Sequence, residues 1–242
     1  MQPRIYAMIV AAGRGSRFGT DTPKQYFSLQ GQTLLQHSVA RLGCSRYIHS
    51  CLLVIAADDR TAHTLNFKLP VSYAIGGNER WQSVYAGLRA IADAGANEED
   101  LVLIHDAARP AVPSTDIDQV IEAAILEPYG AILAAPAVDT LKESYNLSTA
   151  ESISEDSNSS YIKRTIDRST VWQAQTPQVF RIGQLRQVLA YVAKHRLTIT
   201  DEASAFEHLD MPIRLVTGSR QNIKLTYLSD ASLLTAILDA QS

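Results

Sequence analysis

Residues 11–19 read Ala-Ala-Gly-Arg-Gly-Ser-Arg-Phe-Gly, and Lys24 follows within a Pro-Lys-Gln tripeptide. Glycines in a turn let backbone N–H groups come close to phosphate oxygens. Arg14, Arg17 and Lys24 add positive charge beside those glycines, as binding of a triphosphate requires. Without these cations, the glycine cluster would be equally consistent with a plain turn.

Two other phosphate-binding loops fit this segment less well. A dinucleotide fingerprint requires a third glycine where Phe18 stands, and Asp58 and Asp59 lie too far along the chain to bind a ribose. A P-loop ends in Gly-Lys-Ser or Gly-Lys-Thr, and this segment contains neither. The loop therefore favours a nucleoside triphosphate.

The chemistry of phosphate attack on a triphosphate explains why cations are needed. An acceptor phosphate and the α-phosphate both carry negative charge, and two unit charges ~4 Å apart repel by about 4 kcal/mol at an effective dielectric constant of 20. Arginine, lysine and Mg²⁺ must therefore converge on the reacting phosphorus.

A second group of candidate residues begins directly after a predicted strand. Gly76 and Gly77 could let the backbone contact a flat base, and Ser83 adds a hydroxyl in the first turn of the next helix. The same residues would also suit a strand-to-helix turn with a helix cap. Their position after a strand, like that of residues 11–19, favours a role in nucleotide binding.

A third group is His-Asp-Ala-Ala-Arg-Pro, which begins at His105. Asp106 leaves a buried strand at the edge where a Mg²⁺ ligand for phosphates would lie. An aspartate that pairs with Arg109 in a turn would give the same pattern. His105 is predicted to be a packed or hydrogen-bonded histidine, because no second His or Cys stands at metal-ligand spacing.

Alternating strands and helices must position these groups. Short apolar runs predict strands, and apolar residues spaced three and four apart predict helices. The predicted strands are 5–12, 51–57, Val71–Ile75, 101–104, 131–135 and 213–216, and the predicted helices are 33–42, 81–94, Ser114–Leu126, 182–194, 202–208 and 229–240. This order predicts a doubly wound α/β fold, in which ligands bind beyond the carboxyl ends of the strands.

Residues 139–169 interrupt the alternation with a polar stretch. It predicts an arm, a long hairpin or a mobile loop rather than a core element. Since we find no second hydrophobic core, the prediction is a single domain over residues 1–242 with an arm at about 138–169.

The composition excludes several classes of protein. The chain has 242 residues, a net charge of −3 and two isolated cysteines. It therefore lacks a global positive field for nucleic acid and a disulfide or Cys-based metal framework. Its apolar runs are too short for a membrane span, and no signal peptide is recognised, so we expect a cytoplasmic protein without nucleic-acid or membrane partners.

Taken together and in order, the motifs resemble those of the 2-C-methyl-D-erythritol 4-phosphate cytidylyltransferase family. The resemblance covers nearly the whole chain. It rests on Ala11-Ala12-Gly13-x-Gly15-x-Arg17, Pro23-Lys24-Gln25, Gly76-Gly77-x-x-Arg80-x-x-Ser83-Val84, His105-Asp106-Ala107-Ala108-Arg109-Pro110, Asp139-Thr140, Asp167-Arg168, Thr176-Pro177-Gln178, Ile199-Thr200-Asp201-Glu202-Ala203-Ser204 and Asn222-Ile223-Lys224. Phe18, in place of a methionine, and a longer polar insertion at 144–160 depart from the family pattern.

The resemblance implies a Rossmann-like, mostly parallel sheet with helices on both faces, and a protruding β-arm that forms a homodimer. It also implies that CTP is the co-substrate, Mg²⁺ the cofactor, and CMP transfer to 2-C-methyl-D-erythritol 4-phosphate, with release of pyrophosphate, the reaction. The implied catalytic residues are Arg17, Lys24 and Lys224, and the implied metal ligand is Asp106. The implied nucleotide-binding residues are Ala11, Ala12, Gly13, Gly15, Gly76, Gly77, Ser83 and Ala107, and the acceptor-binding residues are Arg109, Thr140, Arg168 and Thr200.

Several alternatives remain at this point. Ribitol-5-phosphate cytidylyltransferase shares the fold and the Lys24 loop, although the motifs at His105 and Thr200 fit the isoprenoid enzyme better. A molybdenum-cofactor nucleotidyltransferase would not predict Asn222-Ile223-Lys224. The alternatives from other classes are an NAD-dependent oxidoreductase and a non-catalytic nucleotide-binding module.

Overall fold

The computed structural model describes residues 2–13, 22–146 and 159–241. The strands are β1 (Ile5–Val10), β2 (Ser28–Leu29), β3 (Gln32–Thr33), β4 (Cys51–Ile55), β5 (Val71–Ile75), β6 (Leu101–Asp106), β7 (Gly130–Pro136), β8 (Leu141–Asn146), β9 (Ser160–Ile166), β10 (Trp172–Arg181) and β11 (Arg214–Thr217). The helices are α1 (Leu34–Leu42), α2 (Arg80–Asp93), α3 (Ser114–Leu126), α4 (Ile182–His195), α5 (Glu202–Glu207) and α6 (Asp230–Ala240).

In this described part of the chain, seven strands form one sheet in the order β11-β7-β10-β6-β1-β4-β5. Neighbouring strands are parallel except at β10, which runs antiparallel to both β6 and β7. The predicted α/β class with a mostly parallel sheet is therefore confirmed. The carboxyl ends of β1, β4, β5 and β6 meet at one edge.

Helices cover both faces of the sheet because its central strands are apolar on both sides. Along β1, Ala7 and Ile9 pack into one core cluster and Met8 into the other. The first cluster contains buried residues of α1 and α3, and the second contains buried residues of α2, α4 and α5. Each strand end is thus held rigidly between two packed layers.

The helix α6 anchors the segment that precedes it. Leu234 and Leu238 of α6 are buried with Leu29, Leu34 and Leu225 in a third cluster. The backbone N–H of Leu225 also donates to the carbonyl of Ala108, 2.9 Å away. This anchoring fixes the chain beside Lys224.

The sequence did not predict β10, although β10 lies in the middle of the sheet. Residues 173–178 of β10 read Gln-Ala-Gln-Thr-Pro-Gln, and a proline in such a run argues against a central strand. The register shift between Ala174 and Gln178 accommodates the proline as an irregularity in the pairing with β7. The side chains of Gln175, Thr176 and Gln178 are buried, and their hydrogen bonds replace the apolar packing that a sequence pattern would show.

The predicted arm contains a two-stranded antiparallel hairpin, β8–β9, whose register pairs Leu141 with Ile166. It leaves the sheet between β7 and β10, where the backbone N–H of Ala137 donates to the carbonyl of Val171. Of the polar insertion at 144–160, residues 147–158 lie outside the described residues. The residues beside that gap, 144–146 and 160, belong to the two strands.

Across residues 2–13, 22–146 and 159–241, no helix is both long enough and apolar enough to cross a bilayer.

Candidate active site

A cavity of about 230 Å³ opens at the carboxyl ends of β1 and β6 and beside the loop after β5. It is lined by Val10, Ala11, Ala12, Gly13, Lys24, Gln25, Gly77, Asn78, Glu79, Arg80, Ser83, Asp106, Ala107, Ala108 and Lys224. All three groups of candidate residues from the sequence contribute to this lining. The cavity also joins Lys24 and Lys224, which come from opposite ends of the chain.

Gln25 fixes the position of Lys24 relative to β1. Lys24 begins a short 3-10 helix (Lys24–Tyr26), and the buried side-chain amide of Gln25 donates to the carbonyl of Ala11, 2.8 Å away. The N–H of Ala11 in turn donates to Val54 of β4. The lysine is therefore tied to the sheet edge by its neighbour.

The loop after β5 packs tightly against β1 and α2. A Cβ atom at Gly76 would lie 2.7 Å from both Ala12 Cβ and Ser83 Oγ, so only glycine fits without displacement. The hydroxyl of Ser83 accepts a hydrogen bond from the N–H of Gly77 at 3.1 Å. Ser83 thus stabilises the turn between β5 and α2, as the structural interpretation of these residues predicts. Ser83 also lines the cavity, as a role in nucleotide binding requires.

Asp106 is the centre of a buried charge cluster. Its Oδ2 lies 2.6 Å from Lys224 Nζ, and its Oδ1 accepts a hydrogen bond from Arg80 Nη1. Arg80 Nη2 lies 2.9 Å from Glu202 Oε2, so this guanidinium bridges two carboxylates. The carboxylate of Asp106 thus pairs with Arg80 and Lys224, while Arg109 meets Asp106 through a backbone turn, in which its N–H donates to the carbonyl of Asp106 at 3.1 Å.

Burial and charge act in opposite directions on the pKa values of this cluster. Burial alone would raise the pKa of Asp106, but Arg80 and Lys224 outweigh it and hold the pKa well below its usual range. Burial raises the pKa of Glu202, and Arg80 opposes that rise only in part. Burial would lower the pKa of Arg80, yet the two carboxylates raise it. Asp106 is therefore an ionised carboxylate on the cavity wall.

His105 is a hydrogen-bonded core residue, as predicted. Its Nε2 lies 3.0 Å from the carbonyl of Arg109, which can only accept, so Nε2 carries the proton. Its Nδ1 then accepts from the hydroxyl of Thr176 at 3.0 Å, and that hydroxyl accepts from the N–H of Asp106 at 3.1 Å. Burial lowers the pKa of His105 to about 4, which keeps the ring neutral. The result is a continuous chain of hydrogen bonds that positions Asp106.

Arg109 braces the segment that carries Lys224. Its Nη1 donates to the carbonyl of Asn222 at 2.6 Å, and its Nη2 donates to that of Ala174 at 3.3 Å. Burial lowers the pKa of its guanidinium. Its Nε is buried without a hydrogen-bond partner in the described part of the molecule.

The remaining predicted residues that the structure describes do not line this cavity. Thr140, Arg168 and Thr200 are exposed, the first two next to the paired ends of the β8–β9 hairpin. Gly76 lies behind the lining, against Ala12. Arg17 and Gly15 lie outside the described residues.

Sequence analysis assigned no role to Arg80, Glu202 or Gln25, although all three stand in the motifs quoted above. Each is a polar residue whose partner stands in a different motif; Gln25 and Ala11 are 14 positions apart, and Arg80 and Glu202 are 122 positions apart. The motifs indicated that Gln25, Arg80 and Glu202 belong to the family pattern. Nothing in the order of the motifs indicated which of these residues pair with which partners.

The part of the chain that the structure describes does not by itself form a multi-carboxylate metal site. Within the described ranges, no three His, Cys, Asp or Glu side chains are grouped closely enough to hold a metal ion. Mg²⁺ commonly binds one or two carboxylates together with substrate phosphates and waters. The single ionised carboxylate of Asp106 fits that mode of binding.

A sequence model described as IspD, 2-C-methyl-D-erythritol 4-phosphate cytidylyltransferase, matches residues 5–240. A protein of that name from Psychrobacter arcticus is 64% identical over 260 aligned positions, which cover 99% of this chain and 92% of the relative. A second protein of that name, from Burkholderia vietnamiensis, is 41% identical over an alignment that covers 99% of this chain and 98% of the relative.

Solved structures agree with these sequence matches. A crystal structure of 4-diphosphocytidyl-2C-methyl-D-erythritol synthase superposes with a TM-score of 0.80 and 32% identity, covering 99% of this chain and all of the other. The crystal structure of the Francisella tularensis 2-C-methyl-D-erythritol 4-phosphate cytidylyltransferase gives a TM-score of 0.78 at 29% identity. The superposition covers 97% of this chain and 99% of the other.

Proposed function

This chain belongs to the 2-C-methyl-D-erythritol 4-phosphate cytidylyltransferase family, and we propose that the cavity at the sheet edge is where it joins its two substrates. It is a nucleotidyltransferase that transfers CMP from CTP to 2-C-methyl-D-erythritol 4-phosphate and releases pyrophosphate. The observation that carries the placement is the convergence of Lys24, Lys224 and Asp106 in one cavity. Ribitol phosphate transfer, dinucleotide oxidation and non-catalytic binding have no comparable support.

Lys24 and Lys224 neutralise the reacting phosphates. An oxygen of the acceptor's phosphate forms a bond with the α-phosphorus of CTP, and the bond from that phosphorus to the α–β bridging oxygen breaks. Pyrophosphate leaves with the electron pair of that bond. Negative charge accumulates around the phosphorus during this step, so preorganised ammonium groups lower its barrier. Positioning and charge suffice, without a covalent enzyme intermediate. Arg17 is assigned the same role on sequence grounds.

Cytosine and ribose occupy the cleft between the loops after β1 and β5. Its walls are mostly backbone and small side chains, which leave room for a flat base. The residues assigned to the nucleotide are Ala11, Ala12, Gly13, Gly15, Gly76, Gly77, Ser83 and Ala107. In support, six of these eight line the cavity.

The acceptor phosphate is bound by residues at the base of the arm, and the arm forms a homodimer. Thr140 and Arg168 are assigned to the phosphate, and Arg109 and Thr200 to the polyol. In support of the dimer, the hairpin exposes the apolar side chains of Tyr145 and Ile162. Thr140 and Arg168 are exposed in a single chain, and we assign them to the phosphate of an acceptor bound in the partner's cavity.

Asp106 is the residue that would hold Mg²⁺ together with the phosphates of CTP, and a bound ion would supply positive charge to those phosphates. Lys224 and Arg80 occupy the two oxygens of Asp106 in this structure. Both side chains would therefore share that carboxylate with an ion, and Lys224 lies close enough to the cavity to contact the phosphates as well.

A pyrophosphate-release assay that crosses CTP, ATP, GTP and UTP with methylerythritol phosphate and ribitol phosphate tests this function. We expect pyrophosphate only when CTP and methylerythritol phosphate are combined in the presence of Mg²⁺. Equal release with ribitol phosphate would contradict the acceptor assignment. No release with any pair would contradict catalysis.

A further inference from the structure

Glu202 is the most deeply buried carboxylate of the charge cluster around Asp106. Its side chain is 0% exposed, whereas those of Asp106, Arg80 and Lys224 are 9%, 30% and 43% exposed. Glu202 opens α5, and its neighbour Asp201 caps that helix through the N–H of Ser204. The helix therefore does not require Glu202 as its cap.

Among the described residues, Arg80 on the cavity wall is the one hydrogen-bonding and ionic partner of the Glu202 side chain. Its Oε2 accepts from Arg80 Nη2, and its Oε1 is buried without a hydrogen-bond partner among the residues that the structure describes. A buried carboxylate loses its solvation by water, and a single ion pair offsets that loss incompletely. The ion pair between Glu202 and Arg80 therefore contributes little to the stability of the fold, but it holds the guanidinium of Arg80 in a fixed position.

The four side chains form a row of alternating charge, Glu202, Arg80, Asp106 and Lys224. Arg80 shares its charge between Glu202 and Asp106. If Glu202 were neutral, Arg80 would have Asp106 as its only anionic partner in this row. It would then compete more strongly with a divalent cation for Asp106.

We propose that Glu202 is a positioning residue that restrains Arg80 and so makes Asp106 available to a divalent cation when CTP binds. The inference rests on the metal role of Asp106 in the proposed function. The negative charge of Glu202 favours the cation and disfavours the metal-free triphosphate. Neutralising Glu202 must therefore change the two affinities in opposite directions.

The test measures CTP binding to the full chain by titration calorimetry without acceptor, once in EDTA and once in saturating Mg²⁺. The ratio of the two dissociation constants reports how much Mg²⁺ strengthens CTP binding. In Glu202→Gln we expect metal-free CTP to bind at least as tightly as in the wild type, and the ratio to fall at least about fivefold. Loss of a merely structural contact would weaken both affinities equally and leave the ratio unchanged, which would overturn the proposal.

Three further variants test whether Glu202 acts through its charge and through Arg80. Glu202→Asp keeps the charge, and we expect it to retain most of the wild-type ratio. In an Arg80→Gln background, Glu202→Gln should leave the ratio unchanged, because the residue through which it acts is gone. An equal fall of the ratio in both backgrounds would contradict the role of Arg80. If Glu202→Gln alone does not fold, the ratio is measured in the Arg80→Gln, Glu202→Gln double variant, which leaves neither partner as an unpaired buried charge. Without Arg80 to compete for Asp106 we expect that ratio to stay near the wild-type value, and a fall of about fivefold or more would overturn the proposal.

Asp106→Asn separates this inference from the proposed function. If Asp106 holds the ion, Asp106→Asn loses the effect of Mg²⁺ on CTP binding. If Asp106→Asn keeps that effect, the metal role of Asp106 is wrong and the inference fails with it. If Asp106→Asn loses the effect while Glu202→Gln keeps it, the inference about Glu202 alone is wrong.

Discussion

The ammonium group of Lys224 lies 2.6 Å from Oδ2 of Asp106, although 118 residues separate the two along the chain. Asp106 ends β6 in the middle of the sheet, and Lys224 follows an irregular segment between β11 and α6. Leu225 and Arg109 hold that segment against the sheet edge. The contact therefore depends on packing at both ends, and it places a cation where a triphosphate would lie.

Replacing Lys24 with alanine tests the proposed charge neutralisation. We expect Lys24→Ala to fold normally and to lower kcat at least ~10²-fold, because it removes a donor that acts mainly in the transition state. Steady-state kinetics and thermal unfolding measure the two quantities. Lys194→Ala, at an exposed position near the end of α4, is the matched control and should keep full turnover. Near-normal turnover in a folded Lys24→Ala protein would remove Lys24 from the mechanism.

Arg168→Ala tests the assignment of the acceptor phosphate. Because Arg168 lies beside the arm and away from the cavity lining, we expect KM for the polyol phosphate to rise at least ~10-fold. KM for CTP should change less than twofold. Arg186→Ala removes an exposed arginine of α4 that pairs with Glu98, and it should affect neither substrate. A parallel rise in both KM values for Arg168→Ala would contradict a specific role in acceptor binding.

Acidification tests the buried neutral state of His105. Its pKa is about 4 in the folded protein, against about 6.5 in an unfolded chain. Between these values the unfolded state binds the extra proton, so the free energy of unfolding falls as the pH is lowered from about 6.5 to about 4. A shift of about 2.5 pKa units corresponds to about 3 kcal/mol.

Urea unfolding at several pH values measures this contribution in the wild type and in His105→Gln. The variant is expected to be less stable at pH 7, because the hydrogen bonds to Arg109 and Thr176 change. Its loss of stability between pH 6.5 and 4 should nevertheless be smaller than that of the wild type. Parallel pH profiles for the two proteins would show that His105 does not titrate as assigned.

Gly76→Ala tests the close packing between the nucleotide loops. The added Cβ would lie 2.7 Å from Ala12 Cβ and Ser83 Oγ, so the loops must move apart. Overpacking of this kind costs typically 1–3 kcal/mol, and we expect a comparable loss in CTP affinity by calorimetry. Combining it with Ala12→Gly relieves one of the two contacts and should restore part of that affinity. Unchanged CTP binding in Gly76→Ala would show that these loops do not contact the nucleotide.

The sequence by itself determined which segments form the sheet edge and its loops. Short apolar runs predicted β1, β4, β5, β6, β7 and β11, because strands of a parallel sheet are buried on both faces. Apolar residues three and four apart predicted the six α-helices of the described residues, because a helix that buries one face leaves a regular pattern. Both predictions hold to within a few residues. Parallel strands bring their carboxyl ends together, so the meeting of the loops at Gly13, Gly77 and Asp106 followed from that pattern alone. The order of the motifs then identified the family.

Only the tertiary structure decided how the polar residues pair. The strand β10 escaped prediction because buried Gln and Thr side chains stabilise it through hydrogen bonds, which have no periodic signature. For the same reason, the sequence did not show that Arg80 joins Glu202 to Asp106 or that Arg109 braces Asn222. Hydrogen bonds and ion pairs depend on where two distant side chains meet in space, and that position is settled by the packing of the whole fold.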